Sequence, residues 1–171
     1  QPLAFGTLFM LAWLAQVLLI GIAPPIGIPI VLMLTPSISF GLMAAVGEVR
    51  AKRFPRPKLL IEGLRGAPTR RRAMLHLGLI YGAVMMAWLV LWLGSVDWES
   101  LMKLDGSEAA IKAFLEKNPQ FQLRLAMVSF GNVLMLGVAT HAGALVYWNR
   151  LSAFAAVGTT LAAMFRNAAA F

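Results

Sequence analysis

Four long apolar stretches, separated by short polar segments, dominate the pattern of residues along this chain. They cover about 3–22, 28–47, 73–93 and 125–148. A helix rises about 1.5 Å per residue, so about twenty residues cross the roughly 30 Å hydrocarbon core of a membrane. The pattern therefore predicts an all-α integral membrane protein, in which a bundle of about four transmembrane helices forms a single membrane domain over 1–171.

Prolines interrupt this pattern in the first half of the chain. The stretch Gly21–Pro29 contains the adjacent pair Pro24 and Pro25, which predicts a break in the helix and a short turn between the first two spans. Within the second span, Pro36 predicts a kink.

Three segments outside the spans are expected to form short helices. The segment 94–124 is soluble in character, and Ser107 is the predicted N-cap of a helix that stops before Pro119. Residues 58–65 can form two turns of amphipathic helix on the membrane surface. The apolar segment 151–165 is short for a span and is a second candidate for an interfacial helix.

Positive charge is concentrated between the second and third spans. The chain has 15 Lys and Arg against 7 Asp and Glu, and its net charge is +8. Nine of these cations lie between Arg50 and Arg72, with Glu62 as the single acid. Cytoplasmic connections of membrane proteins are enriched in Lys and Arg. The bias predicts a multi-pass bacterial inner-membrane protein, with the N-terminal end and the basic loop 50–72 in the cytoplasm and 94–124 in the periplasm.

The basic loop is also predicted to contact anionic lipid headgroups, since each cation near such a surface contributes about 1 kcal/mol. The cations expected at the headgroups are Arg50, Lys52, Arg53, Arg70, Arg71 and Arg72. An acidic cytoplasmic partner is an alternative ligand of the loop. Nucleic acid is not expected, because its binders spread cations over a folded face with aromatic or amide partners.

Small residues at helical spacing predict close contacts between helices, because they allow backbones to approach in lipid. The pairs are Gly41 with Ala45, Gly78 with Gly82, and Ala139 with Gly143. Contact within the chain and contact with another subunit both fit this pattern.

The sequence offers little from which to build an active site. The four predicted spans contain no Asp, Glu, Lys or Arg, and the chain has no Cys, which excludes thiol chemistry and thiolate metal sites. His76 and His141 could lie at similar depth on neighbouring spans, as axial haem ligands do. Hydrogen bonds across helices or to headgroups are the ordinary alternative. We therefore expect no catalysis, no metal and no cofactor.

Several short motifs, taken in their order, resemble those of a known family. They are Pro2–Phe5, Pro36–Ser39 followed by Gly41–Ala45, Phe54-Pro55-x-Pro57, Gly63–Arg65, Arg70-Arg71, Leu77-Gly78-x-x-Tyr81, and His141-Ala142-x-Ala144-Leu145-Val146 before Trp148. The family is one of uncharacterised multi-spanning inner-membrane proteins of proteobacteria, chiefly of the beta class, with no assigned activity. The resemblance implies a topology without a chemistry. It also implies further residues before Pro2 and a further span or two after Asn167.

These features lead us to expect a non-catalytic structural or accessory subunit that packs against other integral membrane proteins. A transporter or channel component is an alternative, because Pro36 and the Pro24-Pro25 pair could mark a discontinuous helix. Its weakness is the absence of charge within the spans. A haem-binding redox subunit, with His76 and His141 as ligands, is the third hypothesis.

Overall fold

A computed structural model describes residues 2–94 and 96–167, with the side chain of Pro2 left out. Over this part of the chain the regular structure is entirely helical. The seven α-helices of the described residues are α1 (Pro2–Ile22), α2 (Pro24–Arg50), α3 (Pro68–Leu93), α4 (Trp98–Met102), α5 (Glu108–Lys117), α6 (Gln120–Trp148) and α7 (Ala153–Arg166), and a 3-10 helix covers Pro57–Leu64. Helices α1, α2, α3 and α6 are long and apolar enough to cross a membrane. The predicted all-α membrane class is therefore confirmed.

The chain divides into two compact units. Unit one comprises residues 1–83 and 135–171, and unit two comprises 84–134. Unit one therefore holds α1, α2, the 3-10 helix, α7 and parts of α3 and α6. Unit two holds α4, α5 and the remaining parts of α3 and α6. Any further span after Asn167 lies outside the described residues.

The connection between α1 and α2 is much shorter than the turn predicted over 21–29. Only Ala23 is non-helical, and Pro24 and Pro25 occupy the first turn of α2. Proline suits that place, since the first N–H groups of a helix have no intrahelical partner. Pro29 and Pro36 both lie inside α2, which is continuous through them.

The core of unit one is apolar and draws on four helices. Its buried side chains are Phe40 of α2, Met74 and Leu77 of α3, Ala142 and Val146 of α6, and Ala153 and Ala156 of α7. Helix α7 covers most of the segment 151–165 that we predicted to be interfacial. It turns Ala153, Ala156 and Thr160 inward, while Phe154 and Phe165 remain exposed.

The connection between α2 and α3 begins where the basic loop 50–72 was predicted to begin, but it is shorter at its other end. Helix α2 ends at Arg50, and two residues later Lys52 lies in the left-handed region at φ 58°. The N–H of Lys52 donates to the carbonyl of Val49 at 3.0 Å, and the N–H of Arg53 donates to that of Glu48 at 2.9 Å. This is a common way to satisfy the last carbonyls of a helix. At the other end, α3 already begins at Pro68, so Arg70, Arg71 and Arg72, which were predicted in the loop, lie in its first turns.

The amphipathic helix predicted over 58–65 is present as a 3-10 helix. It begins at Pro57 and ends at Leu64, and Arg65 that follows has an extended backbone. Eight residues are few for an α-helix to nucleate, and 3-10 turns are common in such short connections.

In unit two, side-chain caps fix the two short helices. The Ser107 hydroxyl accepts a hydrogen bond from the N–H of Ala110 at 3.2 Å, which confirms its predicted role as N-cap of α5. Asp97 caps α4 by accepting from the N–H of Ser100 at 3.0 Å. The rings of Phe114 and Phe121 then meet edge to face at 5.4 Å.

Candidate functional site

The six cations predicted at lipid headgroups fall into two groups in unit one. Arg50, Lys52 and Arg53 lie at the end of α2, whereas Arg70, Arg71 and Arg72 lie in the first turns of α3. Arg53 already has a protein partner, because its Nε lies 2.8 Å from Oε2 of Glu48. Arg70 packs against the ring of Tyr147. The six are therefore not equivalent in what they can offer to a ligand.

Glu62, the single acid of the basic stretch, is bound to the end of α6. The Tyr147 hydroxyl donates a hydrogen bond to Oε1 of Glu62 at 3.0 Å. The guanidinium carbon of Arg70 lies 4.9 Å from the centre of the Tyr147 ring, and the ring of Phe40 lies 4.4 Å from it. A carboxylate acceptor and a cation over a ring face are both favourable contacts. Tyr147 thus joins α6 to α2, α3 and the 3-10 helix.

One cleft of unit one, which we call the arginine cleft, has a lining rich in cations. It has a volume of about 550 Å³. Its polar lining consists of Thr69, Arg70, Arg72, His76, Arg150 and Ser152. Val146 and Ala153, both buried, form part of its apolar floor. No Asp or Glu is among the residues that line it. The cleft is therefore strongly positive.

A second cleft of unit one, the mixed-charge cleft, contrasts with the first. It has a volume of about 720 Å³. Its lining includes the carboxylates Glu48 and Glu62 together with Arg53, Arg56 and Lys58. Because acids balance most of its cations, it is a weaker place for an anion than the arginine cleft.

Arg150 reaches the arginine cleft from an unusual backbone position. It follows the C-terminus of α6 with φ at 56°, in the left-handed region where glycine is favoured. Two residues later Ser152 caps α7, and its hydroxyl accepts from the N–H of Ala155 at 3.3 Å. The end of α6 and the start of α7 therefore border the same cleft.

All six small residues predicted for helix packing are buried in unit one. Gly41 lies directly against the backbone of Leu59 in the 3-10 helix, and Gly78 against the backbone of Met33 in α2. A Cβ atom on Gly143 would lie 3.2 Å from the carbonyl oxygen of Pro36. Of the two arrangements that the sequence left open, these contacts lie within the chain.

The two histidines have different surroundings. His141 donates from Nδ1 to the carbonyl of Gly137, in its own helix, at 2.8 Å. His76 lines the arginine cleft, and His141 is not among the residues of that cleft. The pairing of these side chains as haem ligands thus gains no support from the described residues and stays a prediction.

Sequence reasoning did not single out Tyr147 or Glu62 as a pair, nor Arg150 and Ser152 as part of a site. The first pair is separated by 85 residues, so no local signal could find it. Arg150 is visible as a charge just after an apolar span, but the turn that aims it at the cleft is not.

The chain is similar to a probable inner membrane protein of Burkholderia thailandensis. The two are 38% identical over 88 residues, which span 51% of this chain and 32% of the length of that relative. No family model matches the chain, and no solved structure is significantly similar to it. The resemblance to inner-membrane proteins of beta-proteobacteria, predicted from the order of motifs, is confirmed. With the four apolar helices, this supports an inner-membrane location.

Proposed function

We propose that this membrane protein is a non-catalytic structural or accessory subunit of the bacterial inner membrane, packing against other integral membrane proteins. Its N-terminal end and basic loop face the cytoplasm, where the loop contacts anionic lipid headgroups. Three features support the proposal: the apolar interior of unit one, the large apolar side chains exposed on its surface, and the distribution of charge along the chain.

The observation that carries the proposal is the apolar, close-packed interior of unit one. Phe40, Met74 and Val146 meet at its centre, and in the described part of the chain the buried polar side chains are those of Ser37 and Thr160. Transport paths through a membrane are usually marked by ionisable or strongly polar groups. Helix α2 is also continuous at Pro36, so the discontinuous helix of the transport alternative finds no support there.

The surface left for a partner is made of large apolar side chains. The small residues are already used inside unit one, and α1 buries only a narrow face that contains Ala4, Leu8 and Ala12. Phe9 and Trp13, on the remainder of α1, are each 52% exposed. Such a face suits acyl chains or the helix of another subunit.

Site-specific photo-crosslinking in native membranes tests this proposal. A photoreactive phenylalanine analogue at Phe9 or Phe154, which are 52% and 79% exposed, is expected to capture one defined membrane protein. Phe40, which is 1% exposed, is the matched control and should give no adduct with another protein. If the exposed positions capture nothing but lipid, while the protein migrates alone after mild solubilisation, the accessory role is refuted.

The orientation has its own test, because the chain contains no Cys and single cysteines can be introduced at will. A cysteine at Lys58 should react with a membrane-impermeant maleimide only in inverted vesicles. A cysteine at Lys112 should react only in intact spheroplasts. The opposite pattern would place the N-terminal end in the periplasm.

A further inference from the structure

We propose that the arginine cleft is a specific site for a phosphate group, supplied either by the headgroup of an anionic phospholipid or by free phosphate. This inference adds a specific site to the proposed contact with anionic lipid. It rests on that proposed function only where the phosphate is assigned to a lipid headgroup. It names a different set of residues, because Arg150, His76 and Ser152 join Arg70 and Arg72.

The charge of the cleft calls for an anion. Arg70, Arg72 and Arg150 all line it, and no carboxylate does. Within the described residues, neither Arg72 nor Arg150 has an ion-pair partner, whereas Arg53 in the mixed-charge cleft is paired with Glu48. The planar guanidinium group matches two phosphate oxygens at once, which makes arginine well suited to this ligand.

Helix termini add to the positive potential. Thr69, Arg70 and Arg72 lie in the first turns of α3, and Ser152 is the N-cap of α7, a helix of 14 residues. The N-terminal end of a helix carries partial positive charge and free N–H groups, so it favours anions and disfavours cations. Arginines placed there repel the helix terminus unless an anion lies between them.

One of the three arginine side chains is held in place before any ligand arrives. The Arg70 guanidinium lies over the Tyr147 ring, and Tyr147 is in turn held by its hydrogen bond to Glu62. The left-handed turn that follows α6 brings the backbone of Arg150 to the cleft, which its side chain lines. A side chain that is already ordered loses less conformational freedom on binding. The backbone of Arg150 thus adopts a conformation better suited to glycine, while its side chain supplies charge to the cleft.

The apolar floor is compatible with a lipid. Val146 and Ala153 line the cleft together with the cations, and Phe154 is exposed at the start of α7. Cations above apolar surface are the arrangement that holds a headgroup while leaving room for acyl chains. Free phosphate would use the same cations without this floor.

The experiment compares thermal stability of the purified full chain in a neutral detergent. Phosphatidylglycerol, phosphatidylcholine, sodium phosphate and sodium chloride at matched ionic strength are titrated separately. For the phosphate-bearing anion that binds, we expect the apparent Kd to rise about tenfold or more in Arg72→Gln and in Arg150→Gly, since a hydrogen bond to a charged group is lost. Arg150→Gly is expected to fold well, because glycine prefers its backbone conformation.

Two control variants remove cations that lie outside both the cleft and the basic loop. They are Arg166→Gln at the end of α7 and Lys112→Gln in α5. Both should bind as the unaltered protein does. Stabilisation by phosphatidylglycerol alone identifies a lipid ligand, and stabilisation by sodium phosphate identifies a free one; either supports the site. The phosphate site is refuted if sodium chloride stabilises the protein as much as phosphate does. It is also refuted if the control variants bind as weakly as the cleft variants. In the latter case a diffuse contact between the loop and anionic lipid would still stand.

Discussion

Replacing Gly78 with alanine is a direct test of how closely α2 and α3 approach. A Cβ atom on Gly78 would overlap the carbonyl oxygen of Met33 and would lie 3.1 Å from its carbonyl carbon. Both are main-chain atoms, so no side-chain rotation can make room and the two helices must move apart. Gly82 lies one turn further along α3. A Cβ atom placed on Gly82 would lie 3.5 Å from the backbone nitrogen of Met33, which is ordinary van der Waals contact.

The expected effects have opposite signs. Added volume in a well-packed site typically costs about 1–3 kcal/mol, and here the cost belongs at the upper end because backbone is displaced. Alanine within a helix is favoured over glycine by about 0.5–1 kcal/mol. Gly78→Ala should therefore destabilise unit one by about 2 kcal/mol, whereas Gly82→Ala should be neutral or stabilising by up to about 1 kcal/mol.

Unfolding in mixed micelles with increasing SDS, followed by tryptophan fluorescence, measures this difference. Gly137→Ala in α6 is a further control, since beyond the adjacent backbone of its own helix no atom lies within 4 Å of a Cβ placed there. Equal midpoints for Gly78→Ala and Gly82→Ala would refute the close approach of α2 and α3. A loss of stability in all three variants would instead point to a general intolerance of alanine.

Three further predictions concern hydrogen bonds. Tyr147→Phe keeps the ring but removes the hydrogen bond to Glu62. This variant should lower the free energy of unfolding by about 1 kcal/mol and should speed tryptic cleavage of the basic loop. Unchanged cleavage would contradict this prediction. Ser107→Ala should destabilise α5 by about 1 kcal/mol, seen as faster amide exchange in its first turn and rescued by Ser107→Asp. Hydrogen bonds from the Ser100 hydroxyl and N–H lower the pKa of Asp97. The cap that Asp97 forms on α4 should therefore be complete above the ordinary pKa of an aspartate and lost as pH falls through the lowered pKa. The NMR chemical shift of the Ser100 amide measures this pH dependence, which Asp97→Asn should abolish.

The helices of this protein could be predicted because their signals are local. Uncharged apolar stretches of sufficient length locate α1, α2, α3 and α6, and the Ser107 hydroxyl marks the start of α5. The Pro24-Pro25 pair correctly predicts a break between the first two spans, but the break is one residue, Ala23, rather than a turn over 21–29. A proline pair can end one helix or begin the next, and the sequence alone does not distinguish the two.

The candidate site was less accessible to prediction because its members come from distant parts of the chain. The basic stretch and Glu62 are plain in the sequence, yet the partner of Glu62 is Tyr147, on another helix. The cations also look alike in a sequence, and only the fold separates Arg53, paired with Glu48, from Arg72, which lines the arginine cleft. Likewise Gly78 and Gly82 share one motif and both face the backbone of Met33, but only at Gly78 would a Cβ atom overlap that backbone.

The single-residue link at Ala23 has a consequence for biogenesis. Helices α1 and α2 pack together, and Gly27 lies against the backbone of Leu19 beside the link. No hydrophilic stretch separates the two helices, so the insertion machinery has no polar segment to translocate between them. It therefore has no point at which it could pause with only one of the two helices in the bilayer. We expect the pair to enter the membrane as one helical hairpin. A hydrophilic insert after Ala23 would then force stepwise entry and slow the maturation of newly synthesised chains.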